Sequence, residues 1–180
     1  KVDGATDWVD ISTEYTNTGS NTWSYPMLDL KDYAEQSVQV AFYFYSVQSG
    51  SFGNVSTGWY IDDVEIVTGP YVFNNQEGFE SGLGDWYVDK GTWEVGTPTT
   101  GPGSAYNGSQ CAATVLKGNY AEPVSSRFTS PTFVVPAASE NPRLRFWQWY
   151  RISSADYGKV QIKVDGATDW VDISTEYTNT

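Results

Sequence analysis

From Val38 to Tyr45 the chain reads VQVAFYFY. Val38, Val40, Phe42 and Phe44 fall on one side of an extended chain, and Gln39, Ala41, Tyr43 and Tyr45 fall on the other. A period of two with one strongly apolar face predicts a strand that covers a core. The same alternation runs through RLRFWQWYRI (Arg143–Ile152). There Leu144, Phe146, Gln148, Tyr150 and Ile152 oppose Arg143, Arg145, Trp147, Trp149 and Arg151. In GKVQIKVDG (Gly158–Gly166), Val160, Ile162 and Val164 oppose Lys159, Gln161 and Lys163; the Asp-Gly pair then predicts a hairpin turn into WVDIS. GWYIDDVEIV (Gly58–Val67) is a further strand, stopped by Thr-Gly-Pro. Shorter strands are expected at GTWEVG, CAATVL, SRFTSP and TFVVP. Short strands separated by Gly, Pro and Asn clusters predict an all-β chain, an antiparallel β-sandwich or jelly roll.

The pattern has a second regularity. Lys1–Thr18 and Lys163–Thr180 are identical over eighteen residues, 162 positions apart. Chance does not produce such a match, so the offset predicts a tandem array with that period. On this reading residues 1–70 are the C-terminal half of one unit, and residues 71–180 are the N-terminal part of the next. Together they supply one sandwich's worth of strands in permuted order. The sandwich then either closes within one chain or is completed by a neighbouring chain, head to tail; exchange between units is the expectation. The connector Val67–Glu77 is long enough for either.

Composition narrows the function. A chain of 180 residues is long enough to bury a sizeable core. A net charge of −12 argues against nucleic acid and against anionic membrane surfaces as partners. No apolar run is long enough to span a bilayer, so no membrane insertion of this segment is expected. There is no histidine, which excludes Ser-His-Asp triads and His-ligated zinc. The single cysteine, Cys111, lies in an alternating stretch and reads as a small buried hydrophobe. Low cysteine, abundant Ser and Thr, and strong acidity are compatible with a bacterial or archaeal cell exterior, so an extracellular or cell-surface location is expected.

A set of motifs in a fixed order carries a resemblance. Starting at Tyr71 and continuing from Gly19 after Thr180, the unit runs FESG, GTWEVG, LKGNY, LRFW, VDGATDW and GWYIDDV. It resembles the MAM-like jelly-roll modules of bacterial secreted and surface proteins. In particular, it is similar to the C-terminal modules of immune-inhibitor-A-type metallopeptidases. The resemblance implies a jelly roll of the concanavalin-like or galactose-binding-like kind. Animal MAM domains carry disulfides, so one cysteine places the likeness with the disulfide-free bacterial branch. The peptidase part is absent, for there is no HExxH motif.

Strand alternation in YIDDVEI sets Asp62 on the side of Tyr60, Val64 and Ile66, and Asp63 on the side of Ile61 and Glu65. A carboxylate on an apolar face must be paired, protonated or bound to a cation. The resemblance implies a structural Ca²⁺ where the last strand of the unit lies beside the first. Its ligands are then Glu80 and one or both of Asp62 and Asp63. Oxygen donors without thiolate or imidazole suit such a hard cation. The other acidic stretches, VDGATDWVD and SADYG, read as exposed turns.

Trp147 and Trp149, interleaved with arginines opposite the apolar face, are candidates for stacking against a surface glycan. Asn54-Val-Ser and Asn107-Gly-Ser are N-glycosylation triplets. No phosphate loop, cofactor fingerprint or nucleophile elbow is present, and no pair of carboxylates stands out as acid and nucleophile. The reading is therefore a non-catalytic, calcium-stabilised structural module of a stalk, fibre or surface layer. Its partners are identical neighbouring repeats or chains. An adhesin or carbohydrate-binding module is the alternative.

Overall fold

The computed structural model describes residues 8–16, 23–47, 55–68 and 76–178. Asn54, Lys1–Asp7 and most of the Val67–Glu77 connector lie outside the described residues. Among the described residues twelve strands run in chain order: β1 (Trp8–Thr16), β2 (Met27–Asp29), β3 (Ser37–Ser46), β4 (Gly58–Val67), β5 (Tyr87–Asp89), β6 (Glu94–Gly96), β7 (Cys111–Ala113), β8 (Val124–Thr129), β9 (Phe133–Val134), β10 (Arg143–Arg151), β11 (Tyr157–Val164) and β12 (Val171–Thr178). The described residues contain no α-helix, and no helix among them is long and apolar enough to cross a membrane.

The strands form two sheets packed as a sandwich. One has the order β1-β12-β11-β3-β8-β5, with β9 also paired to β3; the other is β2-β10-β4-β7-β6. All pairings are antiparallel except β1 with β12. Each sheet draws strands from before and after residue 70, so residues 8–67 fold back onto residues 76–178 within one chain.

The long alternating segments became β3, β4, β10 and β11, with their apolar sides inward. Val38, Val40, Phe42, Phe44, Leu144, Phe146, Val160, Ile162 and Val164 are all buried in one core. An aromatic cluster fills its centre. Phe42 packs edge-on against Phe146 (4.9 Å) and Trp59 (5.6 Å), while Phe128 stacks on Trp86 (4.7 Å) and Trp93 (5.5 Å). Such pairs add about 0.5–1.5 kcal/mol each beyond the area they bury.

The sequence pattern missed β2 and β5, which are too short to show a period. The expected hairpin joins β11 to β12, but through residues 165–170 rather than a two-residue turn, with Gly166 in the left-handed region. A correction concerns SADYG. Asp156 there is 1% exposed and accepts hydrogen bonds from Val47 N (2.7 Å) and the Tyr120 hydroxyl (2.6 Å). Its carboxyl is raised by burial. It is a buried tie between loops, because its neighbours along the chain are turn residues but its partners are distant.

Gly158 of β11 lies against Trp59 of the opposite sheet. A Cβ there would sit 2.6 Å from the Trp59 ring, which is itself locked in the core. Overpacking of this kind costs roughly 1–3 kcal/mol. Gly158→Ala is expected to lower the unfolding free energy from urea titration by that amount, whereas Gly103→Ala, which faces open space, is expected to lower it through backbone strain alone.

Candidate cation site at the β4 bulge

Along β10, Arg145 faces Glu65 but Trp147 faces Asp62, so β4 holds one extra residue between them. This is a β-bulge, and Asp63 takes the strain with φ = +47°. Aspartate is one of the few non-glycine residues that enter this region readily. The bulge resets the alternation of β4. Trp59 and Ile61 point into the main core, and after the bulge so do Val64 and Ile66. Tyr60, Asp62 and Glu65 take the opposite face. The expected grouping of Asp62 with Val64 and Ile66 is thus corrected: a period of two does not survive an inserted residue.

Asp62 is fully buried, beneath the loop that precedes β7. Its Oδ1 accepts from Asp63 N (2.9 Å), and its Oδ2 accepts from Tyr106 N (3.1 Å) and Asn107 N (3.4 Å). Burial, then the neighbouring Asp63 charge, push its carboxyl up to about 7 despite these three donors. Burial also raises Asp63, against a hydrogen bond from the Asn107 side chain and with a further push from Glu80.

Glu80 grips the next residues of the same loop. It accepts from Gln110 N (2.7 Å), Ser109 N (2.9 Å) and the Ser109 hydroxyl (2.9 Å). These donors hold its carboxyl below the usual range. Gly108 lies between, at φ = +65°, and a Cβ on it would fall 2.5 Å from the Glu80 carboxylate. Glu77, three residues earlier, pairs with Val64 through backbone bonds of 3.0 and 2.8 Å. The segment that opens the expected unit therefore lies beside the strand that closes it.

The three carboxylates named from the sequence lie around the bulge in the middle of β4, but in different roles. Asp62 is spent on backbone N–H groups of the bulge and loop. Asp63 and Glu80 repel one another, and among the described residues neither they nor Asp62 meet a Lys or Arg. Oxygen donors of this kind are the ones a hard divalent cation takes. Among the described residues, however, no group of three or more Asp, Glu, Cys or His side chains is placed to hold a metal ion. Tyr106, Ser109 and Gln110 were not foreseen. The Asn-Gly pair signals a turn there, but nothing local says which carboxylates that turn will cap.

The aromatic candidates are differently placed. Trp149 is 4% exposed and lies in a second small core with Tyr60, Cys111 and Ala113. Trp147 stacks on Tyr106 (3.7 Å, 16°) and on Tyr25 (4.4 Å, 7°). Two rings that close to one centroid cannot share a face, so both faces of Trp147 are covered. Arg145 in turn sits 3.8 Å above Tyr25, whose hydroxyl donates to Glu65. Neither tryptophan presents a free face to a sugar. Loops have covered the outer side of β10, which alternation alone left open. Cys111 is buried as expected, and burial pushes its thiol far up. Asn107 is exposed.

Over 99 aligned residues, 53% of this chain, the sequence is 34% identical to Bacillopeptidase F of Bacillus subtilis (strain 168). The match covers 7% of that protein's length. No protein-family model matches the chain, and no solved structure matches it.

The Asp62 environment sets a pH dependence. Its folded pKa is raised above the unfolded value of about 3.9, so the folded state holds a proton that the unfolded state has released. The associated stability is complete below about pH 4 and is lost as pH rises through about 7. The full swing is at most about 4 kcal/mol. In metal-free buffer the urea midpoint is expected to fall between about pH 4 and 7 and to level off above, and Asp62→Asn is expected to flatten that slope.

Proposed function

We propose that the chain is a non-catalytic extracellular module with a structural role, of the MAM-like jelly-roll type, steadied by calcium at the β4 bulge. The observation that carries this reading is how the buried and clustered carboxylates are used. Asp62, Glu80 and Asp156 each accept backbone N–H groups from loops distant in sequence, which makes them architectural ties. A likeness confined to 7% of a much longer peptidase supports a portable module rather than a whole enzyme. The identical ends support repetition head to tail with a period of 162 residues, one unit ending at residue 70 and the next beginning at residue 71.

In the proposed calcium site Asp63 and Glu80 are the charged ligands. Asp62 positions the loop from below and ligates nothing. A bound cation would lower the repulsion between Asp63 and Glu80 and fasten the segment beginning at Glu77 to β4. The second reading is adhesion to a surface glycan. Its contact would be Tyr106, 43% exposed and backed by Trp147, in place of the two covered tryptophans. A glycan-binding signal abolished by Tyr106→Ala would favour it.

Calcium specific for the folded chain stabilises it by mass action, about 2.7 kcal/mol at a hundredfold excess over Kd. Adding Ca²⁺ to EDTA-treated protein is expected to raise Tm by several degrees, and Glu80→Gln or Asp63→Asn is expected to remove the rise. An unchanged melting curve for the unmodified chain would sink the metal site. The bare module is also expected to turn over no peptide, ester or polysaccharide above a buffer control. Turnover lost with a single carboxylate-to-amide change would sink the non-catalytic reading.

A further inference from the structure

The two identical segments meet at one strand. One edge of β11 pairs with β3. Its other edge is claimed twice. Gln161 faces Asp172 of β12 and also Asp10 of β1; Ile162 faces Val171 and also Val9; Gly158 faces Tyr177 and also Tyr15. In every case the two partners are the same residue of the two copies, 162 positions apart. The side-chain contacts repeat the coincidence. Lys159 reaches Asp172 (2.9 Å) and Asp10 (3.3 Å). Ile173 is buried in the main core, and Ile11 packs against that same core.

A strand edge has one row of outward N–H and C=O groups, and those groups satisfy one partner. Identical sequences in an identical register gain the same pairing and bury the same side chains. We propose that the outer edge of β11 is a binding slot for one Trp-Val-Asp-Ile-Ser-Thr-Glu-Tyr strand, and that β1 and β12 occupy it alternately within a single chain. Tethers and contacts together decide occupancy: β12 also takes hydrogen bonds from Gln161 Nε2 to Asp172 and from Val160 N to the Ser174 hydroxyl (2.8 Å), and its Ile173 is buried more deeply than Ile11. β12 is joined to β11 by residues 165–170, a short loop with little closure entropy. β1 is held from the other side, by the chain leading into Ser24, which is fixed to Gln148 by two backbone bonds of 2.6 Å. β1 also runs parallel to β12, with Ser12 opposite Ser174 and Thr16 opposite Thr178. This inference rests on the register and does not depend on the function proposed above.

Disulfide trapping tests it on the full chain. Asp172→Cys with Gln161→Cys reports β12 in the slot, and Asp10→Cys with Gln161→Cys reports β1. Cys111 is buried and stays out of the exchange. Both pairs are expected to oxidise in a glutathione buffer to a crosslinked monomer, identified by a non-reducing gel and peptide mapping. Failure of the Asp10 pair, or its appearance only as crosslinks between chains, would overturn the proposal. A second measurement covers the case of a poorly folded cysteine variant. Ile11→Asp and Ile173→Asp each bar one copy from the core side of the slot. Each alone is expected to leave a cooperative melt, with Tm lowered by a few degrees. Together they are expected to lower it far beyond the sum of the two shifts. If Ile173→Asp alone were as damaging as the pair, and Ile11→Asp had no effect in either background, β12 would be the sole occupant and the slot would not alternate.

Discussion

β4 lies between β10 and β7 in the middle of its sheet, and it carries one residue more than its partner over the stretch from Asp62 to Glu65. Much else follows from that insertion. It turns Val64 and Ile66 back into the core after Ile61, so the strand stays apolar inward along its whole length. It leaves Asp62 and Glu65 on the outer face, where water is excluded by loops instead of by the second sheet. It also opens the ladder so that Val64 can pair with Glu77, which brings Phe79 into the core and Glu80 to the loop before β7. Without the bulge, Val64 and Ile66 would face outward and the carboxylates would scatter between the two faces.

Covering the outer face of this sheet has its own physical logic. Tyr60, Cys111, Ala113 and Trp149 are too apolar to leave in water, and Trp23, Ala105 and Leu116 close over them. Above Arg145 the stack continues through Tyr25, Trp147 and Tyr106. The loop that supplies Tyr106 is the one held by Asp62 and Glu80, so the acidic site and the aromatic stack are two fastenings of a single loop. A change in the charge of Asp62 therefore reaches both the acidic cluster and the packing over β10.

The opposite sheet is governed by an edge. β11 has one side committed to β3, and its other side is complementary to a sequence the chain contains twice. Most sandwiches specify one strand for each position, and there alternation of side chains suffices to set the register. Here alternation sets the register twice over, and connectivity and the contacts of each copy distinguish the two solutions.

The parts of this fold that depend on near neighbours can be read from the chain alone. Val38–Phe44, Leu144–Phe146 and Val160–Val164 alternate strongly enough that their strands and their buried faces follow from local pattern. The all-β class and the inert burial of Cys111 were legible in the same way. What only the tertiary structure decided depends on partners far along the chain. The bulge at Asp63 exists because β10 and β4 differ by one residue in register, which neither strand reveals alone. Trp147 is covered because Tyr25 and Tyr106 arrive from other elements, and Asp156 is buried because Tyr120 and Val47 reach it. Asp62 became a loop tie and not an exposed ligand for the same reason. Its role is set by the N–H groups that come to it, and backbone donors carry no signature in a sequence.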